Sequence, residues 1–110
     1  MRTPHFDWIA HHALGRPQAP ALSDLTRDRS YTYAALDKRI SRAAGMLAAR
    51  GIDRGMRVAV LAQNCSDLYE LLFACGRIGA IFIPLNWRLT VAELAYIFAN
   101  AEPALLLHDA

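Results

Sequence analysis

Cysteine is scarce in this chain, with two in 110 residues, and its placement excludes the common uses of the residue. Cys65 and Cys75 form no Cys-x-x-Cys pair and have no histidine at zinc-finger distance. Free, packed thiols are therefore expected, and not a disulfide or a metal site. Glycine is scarce too, with six residues, and none stands where a phosphate-cradling loop needs it. There is no Gly-x-x-x-x-Gly-Lys-Ser/Thr stretch, and the turn Gln63-Asn64-Cys65-Ser66 contains no glycine. Backbone amides there could not approach a pyrophosphate, so a stand-alone dinucleotide site is excluded. Gly76-Arg77-Ile78-Gly79 falls at a helix end, where glycine terminates and packs.

An excess of one charge is also missing. Twelve basic residues stand against ten acidic ones, and the densest cluster, Lys38, Arg39 and Arg42, sits beside Asp37 in a predicted helix. A nucleic-acid surface needs a larger field of one sign, so no nucleic-acid partner is expected and the cluster reads as a solvated helix face. No uncharged apolar run approaches the roughly 18 residues of a membrane helix, so no membrane span is expected. Residues Met1 to Trp8 lack the apolar core of a secretory signal, which makes a cytoplasmic location the expectation.

What is present is core-forming material. Hydrophobic residues make up 55% and charged residues 20%, which excludes an intrinsically disordered chain. Phe6, Ile9, Ala10 and Ala13 recur at helical spacing up to a stop at Gly15 and Pro17. Pro20 to Ser23 and Ser30 to Tyr33 read as a hairpin around the polar turn Asp24 to Arg29. Thr32 can cap a helix running to about Arg50 on the stripe Leu36, Ile40, Ala43, Ala44 and Leu47. Gly51 and Ile52 fit a Schellman close at its end.

From Arg57 the pattern becomes β-α-β-α-β. Arg57 to Ala62 is apolar on both faces, as a buried parallel strand should be. Ser66 to Ile78 is a helix with Leu68, Leu71, Leu72, Cys75 and Ile78 on its inner side. Ile81 to Ile83 is a strand ended by Pro84. Thr90 and Glu93 form a capping box for a helix with Leu94, Ile97, Phe98 and Ala101 inside, ending near Asn100 and stopped by Pro103. Ala104 to Leu107 is the last strand. The expectation is an α/β chain: an N-terminal helix and hairpin, a second helix, then a parallel sheet with right-handed crossovers.

Side chains that carry chemistry are sparse. His11 and His12 are adjacent, so on a helix they point about 100° apart and cannot share a metal. His108 with Asp109 lacks a nearby nucleophile. Ser23, Ser30, Ser41 and Ser66 lack the Gly-x-Ser-x-Gly elbow. Asn64 or Ser66 could hold an anion at a helix N-terminus, against ordinary N-capping as the plainer role. Trp87 and Arg88 are candidates for a partner-facing pair, against packing of the Trp on a neighbouring subdomain. No catalytic, cofactor-binding or metal-binding residue is assigned.

The ordered set of segments is more specific than any one of them. It comprises Thr32-Tyr33-x-x-Leu36, Gly51-x-x-x-Gly55, Arg57-Val58-Ala59-Val60-Leu61-x-x-Asn64, Gly79-Ala80-x-x-x-Pro84-Leu85-Asn86 and Leu89-Thr90-x-x-Glu93-Leu94. In this order and spacing it resembles the amino-terminal segment of the adenylate-forming acyl-CoA synthetases, the AMP-binding ligase superfamily. Trp8 to Leu22 resembles the family's opening as well; Met56 departs from it, standing where the family commonly has Asp. The resemblance implies that residues 1–110 are part of a larger N-terminal domain. It also implies an enzyme that activates a carboxylic acid, a fatty acid by expectation, with ATP and passes the acyl group to coenzyme A. ATP, Mg2+ and coenzyme A are implied for a full-length relative and not for this segment, which lacks the family's phosphate loop and late lysine. Its implied partner is the remainder of a synthetase chain, with self-association expected where apolar strands lack cover. The alternative is a free-standing α/β interaction module on the same scaffold.

Overall fold

The computed structural model describes residues 7–25, 27–62, 65–86 and 88–108. In chain order the elements are α1 (Trp8–Gly15), β1 (Pro20–Asp24), β2 (Arg29–Thr32), α2 (Tyr33–Ala49), β3 (Arg57–Leu61), α3 (Ser66–Ile78), β4 (Ile81–Leu85), α4 (Val91–Ala101) and β5 (Leu105–His108). The chain is α/β, with an antiparallel β1–β2 hairpin and a parallel sheet in the order β4-β3-β5.

Helix α2 is the spine of the core. Its Thr32 cap accepts a bond from the Ala35 N–H at 3.2 Å, which satisfies one of the free donors of the first turn. Leu36, Ile40, Ala44 and Leu47 then fall on one side and are buried. The helix closes as its sequence demands. Gly51 has φ +87°, and the N–H groups of Gly51 and Ile52 donate to the carbonyls of Ala48 and Leu47 at 3.0 and 3.1 Å. Those are the two bonds of a Schellman motif, and the left-handed residue in it is best supplied by glycine.

The sheet divides its side chains by parity, since successive residues of a strand point to opposite faces. Val58 and Val60 on β3 join the α2 and α3 residues Ile40, Leu47, Ala74 and Cys75 in one core cluster. Their register partners Phe82, Leu105 and Leu107 pack against the same cluster. The chain steps from β3 to β4 in one direction and from β4 back past β3 to β5 in the other. Right-handed crossovers in opposite directions place α3 and α4 on opposite faces. Accordingly none of Leu94, Ile97, Phe98 or Ala101 belongs to the α2–α3 cluster, while Ala59, of opposite parity to Val58, is still 1% exposed. Thr90 and Glu93 close the reciprocal capping box of α4, at 3.0 and 3.2 Å.

Three expectations need correction. Pro84 does not end β4 but lies inside it, opposite Val60; an edge strand tolerates proline where the missing N–H would face outward. Tyr33 begins α2 and is not the end of β2. Leu72 is 44% exposed; Leu68, Leu71, Cys75 and Ile78 do face the core, and the inward face carries Ser66, Glu70 and Ala74 beside them. Two polar residues on that face meet charged partners from the hairpin and α2, a pairing that apolar periodicity does not register. Phe6, assigned to the first helix, lies outside the described residues.

Candidate functional site

In an open α/β sheet the first place to look is beyond the carboxyl ends of the strands, where helix N-termini offer free amides. Here that position is the start of α3. Cys65 is its N-cap residue and makes no side-chain capping bond. The cap comes from the hairpin. Asp24 Oδ2 accepts from the Ser66 N–H at 2.9 Å and from the Ser66 hydroxyl at 3.1 Å. Asp24 Oδ1 accepts from the Arg27 N–H at 3.1 Å. The helix end that could have met a phosphate is thus filled by the chain's own carboxylate, and the residues present do not fit a nucleotide phosphate there. Ser66 is buried and committed as a donor, so it is not a free nucleophile.

The Ser66 backbone bond is the main reason the Asp24 carboxyl is held below its ordinary value of 3.8; burial opposes the shift and is outweighed. A carboxylate with a lowered folded-state value contributes stability fully above its unfolded value, and loses it as pH falls through the folded one. Unfolding midpoints should therefore decline as pH drops below about 4, and Asp24→Asn should flatten that decline. Glu93, held below its ordinary value by the Thr90 N–H, titrates in the same sense and accounts for part of any slope that remains. A decline of equal steepness in the variant would contradict the role given to Asp24.

Around this cap lies a polar seam. Arg29 and Arg27 reach Asp67 at 3.1 and 4.0 Å. Arg39 pairs with the buried Glu70 and stands 4.9 Å over the Tyr31 ring. The Glu70 hydrogen bond is the chief cause that raises the Arg39 value, against burial. Arg39 keeps a side chain 40% exposed but, unlike the exposed Lys38 and Arg42, is held to α3 by Glu70. Farther along α3, Arg77 Nε and Nη2 donate to the two oxygens of Asp7 at 2.9 and 3.2 Å. Its Nη2 also donates to Asp37 Oδ1 at 2.6 Å, and its Nη1 to Ser41 Oγ at 2.9 Å.

A half-open cleft of about 320 Å³ sits at the carboxyl ends of β3 and β5. Val60, Leu68, Leu71 and Leu107 form its apolar wall, and Asp67, Glu70 and His108 stand at its polar side. It has the lining of a small-molecule pocket, and His108 and the buried Cys65 also border it. Of the other candidates, His11 and His12 pack edge to face at 5.1 Å, and His12 lies 4.9 Å from the Tyr33 ring. Ser30 and Ser23 face one another across the hairpin at 3.5 Å. Arg88 is exposed, its N–H donating to Asn86 Oδ1 at 2.9 Å. Asn64, Trp87 and Asp109 lie outside the described residues. Both cysteines are buried and free, and burial pushes the Cys75 thiol up. Among the described residues no three His, Cys, Asp or Glu side chains are grouped to hold a metal, and no helix is long and apolar enough to cross a membrane. The long-range caps and ion pairs were the part that sequence reasoning missed. Asp7 and Asp24, at the edges of elements, were the available signal; Asp37, Asp67 and Glu70 lie inside α2 and α3 and gave none.

The family model for AMP-binding enzyme matches residues 9–110. The chain belongs to the AMP-binding enzyme family. A feruloyl-CoA synthase from Amycolatopsis sp is 41% identical over 92% of this chain and 20% of its own length. A fatty acid–[acyl-carrier-protein] ligase, ScoC, from Streptomyces coeruleorubidus is 38% identical over 86% of this chain and 18% of its own. Among solved structures, the N-terminal domain of FACL13 from Mycobacterium tuberculosis superposes with a TM-score of 0.90 at 27% identity, covering 96% of this chain and 27% of that one. The o-succinylbenzoate CoA synthetase of Bacillus subtilis, bound to an acyl-adenylate, gives 0.87 at 28% identity, with 94% and 27% covered. The chain spans about a fifth of the length of the curated relatives it matches. As a member of the AMP-binding family it corresponds to an N-terminal segment of longer relatives.

Proposed function

We propose that residues 1–110 form one partial N-terminal domain of an AMP-forming acid–CoA ligase, a scaffold segment that is inactive by itself. The observation that carries this reading is the coverage: a family match from residue 9 to residue 110 against relatives some five times longer. The filled N-terminus of α3 supports it, because the one helix end best placed for a phosphate is taken by Asp24. In the whole ligase, ATP with Mg2+ would convert a carboxylic acid to its acyl-adenylate, and coenzyme A would accept the acyl group. The named substrates of the relatives include a feruloyl and a fatty acyl group, so the substrate class proposed is a carboxylic acid bearing an apolar body, fatty acids included. A cytoplasmic setting suits those cofactors.

Adenylation needs cations and donors fixed around the phosphates, and among the described residues the amide of Ser66 at the start of α3 is already taken by Asp24. The purified chain should show no acid-dependent exchange between pyrophosphate and ATP. Exchange above background that disappears when the acid is withheld would overturn the reading of an inactive scaffold.

A further inference from the structure

The cleft at the carboxyl ends of β3 and β5 lies where an open parallel sheet places its ligands. The chain passes from β3 to β4 over one face, then crosses the opposite face to reach β5 on the other side of β3. The strand order therefore reverses between β3 and β5, and the crevice outside the carboxyl ends at such a switch point is the usual binding position. Its volume of about 320 Å³ is roughly twice the ~150 Å³ of an apolar cavity that accepts benzene. That is room for one ring with a short chain. Val60, Leu68, Leu71 and Leu107 supply an apolar wall. The charges at the rim are already matched, Asp67 by Arg29 and Arg27 and Glu70 by Arg39. A ligand with a net charge would find its counter-ions engaged, so the lining suits a neutral molecule.

One nucleophile borders this space. Cys65 is 7% exposed and lines the cleft; its thiol is free and makes no capping hydrogen bond to α3. Cys75 differs. It is 0% exposed within the α2–α3 cluster, and burial pushes its thiol up, away from the reactive thiolate.

We propose that this cleft takes a small neutral molecule with an apolar ring and a conjugated ketone, and that Cys65 captures it covalently. The ring lies on the leucine wall and sets the soft β-carbon against the Cys65 sulfur. Sulfur, as the thiolate, forms a bond to that carbon, and the carbon–carbon π bond opens into an enolate. The proton released from the thiol to solvent is returned at the α-carbon. The product is a thioether bearing a saturated ketone, and no oxidant, reductant or second substrate is consumed. The site needs neither a nucleotide nor a carboxylic acid, so it stands apart from the ligase reading.

Benzylideneacetone and methyl vinyl ketone carry the same reacting group with and without the ring. Each is incubated with the folded 110-residue chain and, separately, with glutathione, and adducts are followed by peptide mass spectrometry. The ratio of the Cys65 rate to the glutathione rate should be about tenfold or more greater for benzylideneacetone, the least that burying a phenyl ring contributes. Cys75 should stay unmodified. Benzylacetone, the saturated and unreactive analogue, should slow the labelling in a saturable manner. Leu71→Trp fills the cleft from its wall and should lower the ratio to that of methyl vinyl ketone, with an unchanged circular dichroism spectrum. Should that variant unfold, competition by benzylacetone still decides. Equal ratios for the two enones, labelling of Cys75 alongside Cys65, or a rate indifferent to benzylacetone would each overturn the proposal.

Discussion

Arg77→Met should destabilise the chain by about 3–5 kcal/mol, the cost of removing one partner from a buried ion pair. The side chain of Arg77 is 15% exposed and that of Asp7 is 5% exposed, so water can replace little of what the guanidinium supplies. Burial alone would disfavour the charged Arg77, yet the bonds to Asp7 and Asp37 outweigh it and raise its value. The methionine keeps much of the stem's volume, so the loss reads the charge and the hydrogen bonds more than a cavity. Asp7 also caps α1, accepting from the Ala10 N–H at 3.1 Å, and without Arg77 its carboxylate would remain buried opposite no cation. Stabilities of small domains amount to about 5–15 kcal/mol, so the variant should stand close to its unfolding transition at room temperature. Asp7→Asn combined with Arg77→Met should recover part of the loss. A urea midpoint for Arg77→Met within error of the wild type, at equal slope, would show that the pair is not formed.

Leu47→Ala should cost about 2–5 kcal/mol, as a buried leucine does when the space around it cannot collapse. Leu47 is 0% exposed, and its carbonyl accepts the Ile52 bond that closes α2. Leu72→Ala should cost less than about 1 kcal/mol, in keeping with a side chain largely outside the core. Denaturant titrations of the two variants decide the orientation of α3. Equal losses would mean that Leu72 faces inward, as its spacing in the sequence suggests, and that the observed face is wrong.

That contrast shows what the sequence could and could not disclose. The α2 stripe, the Schellman close and the Thr90–Glu93 box were legible because each is a local device, written within a few neighbouring residues. The β-α-β-α-β order was legible because strands buried on both faces read as continuous apolar runs. The inner face of α3 was legible in part: Leu68, Leu71, Cys75 and Ile78 face the core, while Glu70 and Ser66 could not be placed there because Arg39 and Asp24, which tolerate them, arrive from α2 and the hairpin. Pro84 misled for a related reason. Its effect depends on which side of β4 its nitrogen faces, and that is a property of the sheet and not of the residue. The polar seam was not legible in the sequence because its partners, such as Asp24 with Ser66 and Arg39 with Glu70, lie far apart along the chain.

The cap on α3 has a consequence for the order in which the molecule assembles. Asp24 and Ser66 are 42 residues apart in sequence, and closing a loop of that length costs about 3 kcal/mol in chain entropy before any contact repays it. A helix with a cap in its own sequence can complete its first turn early, as α4 can with Thr90. α3 cannot, because its first turn waits for a hairpin that must itself fold and dock across α2. The Ser66 amide is therefore shielded by a long-range closure and not by the growth of its own helix, and its exchange with solvent should report hairpin undocking.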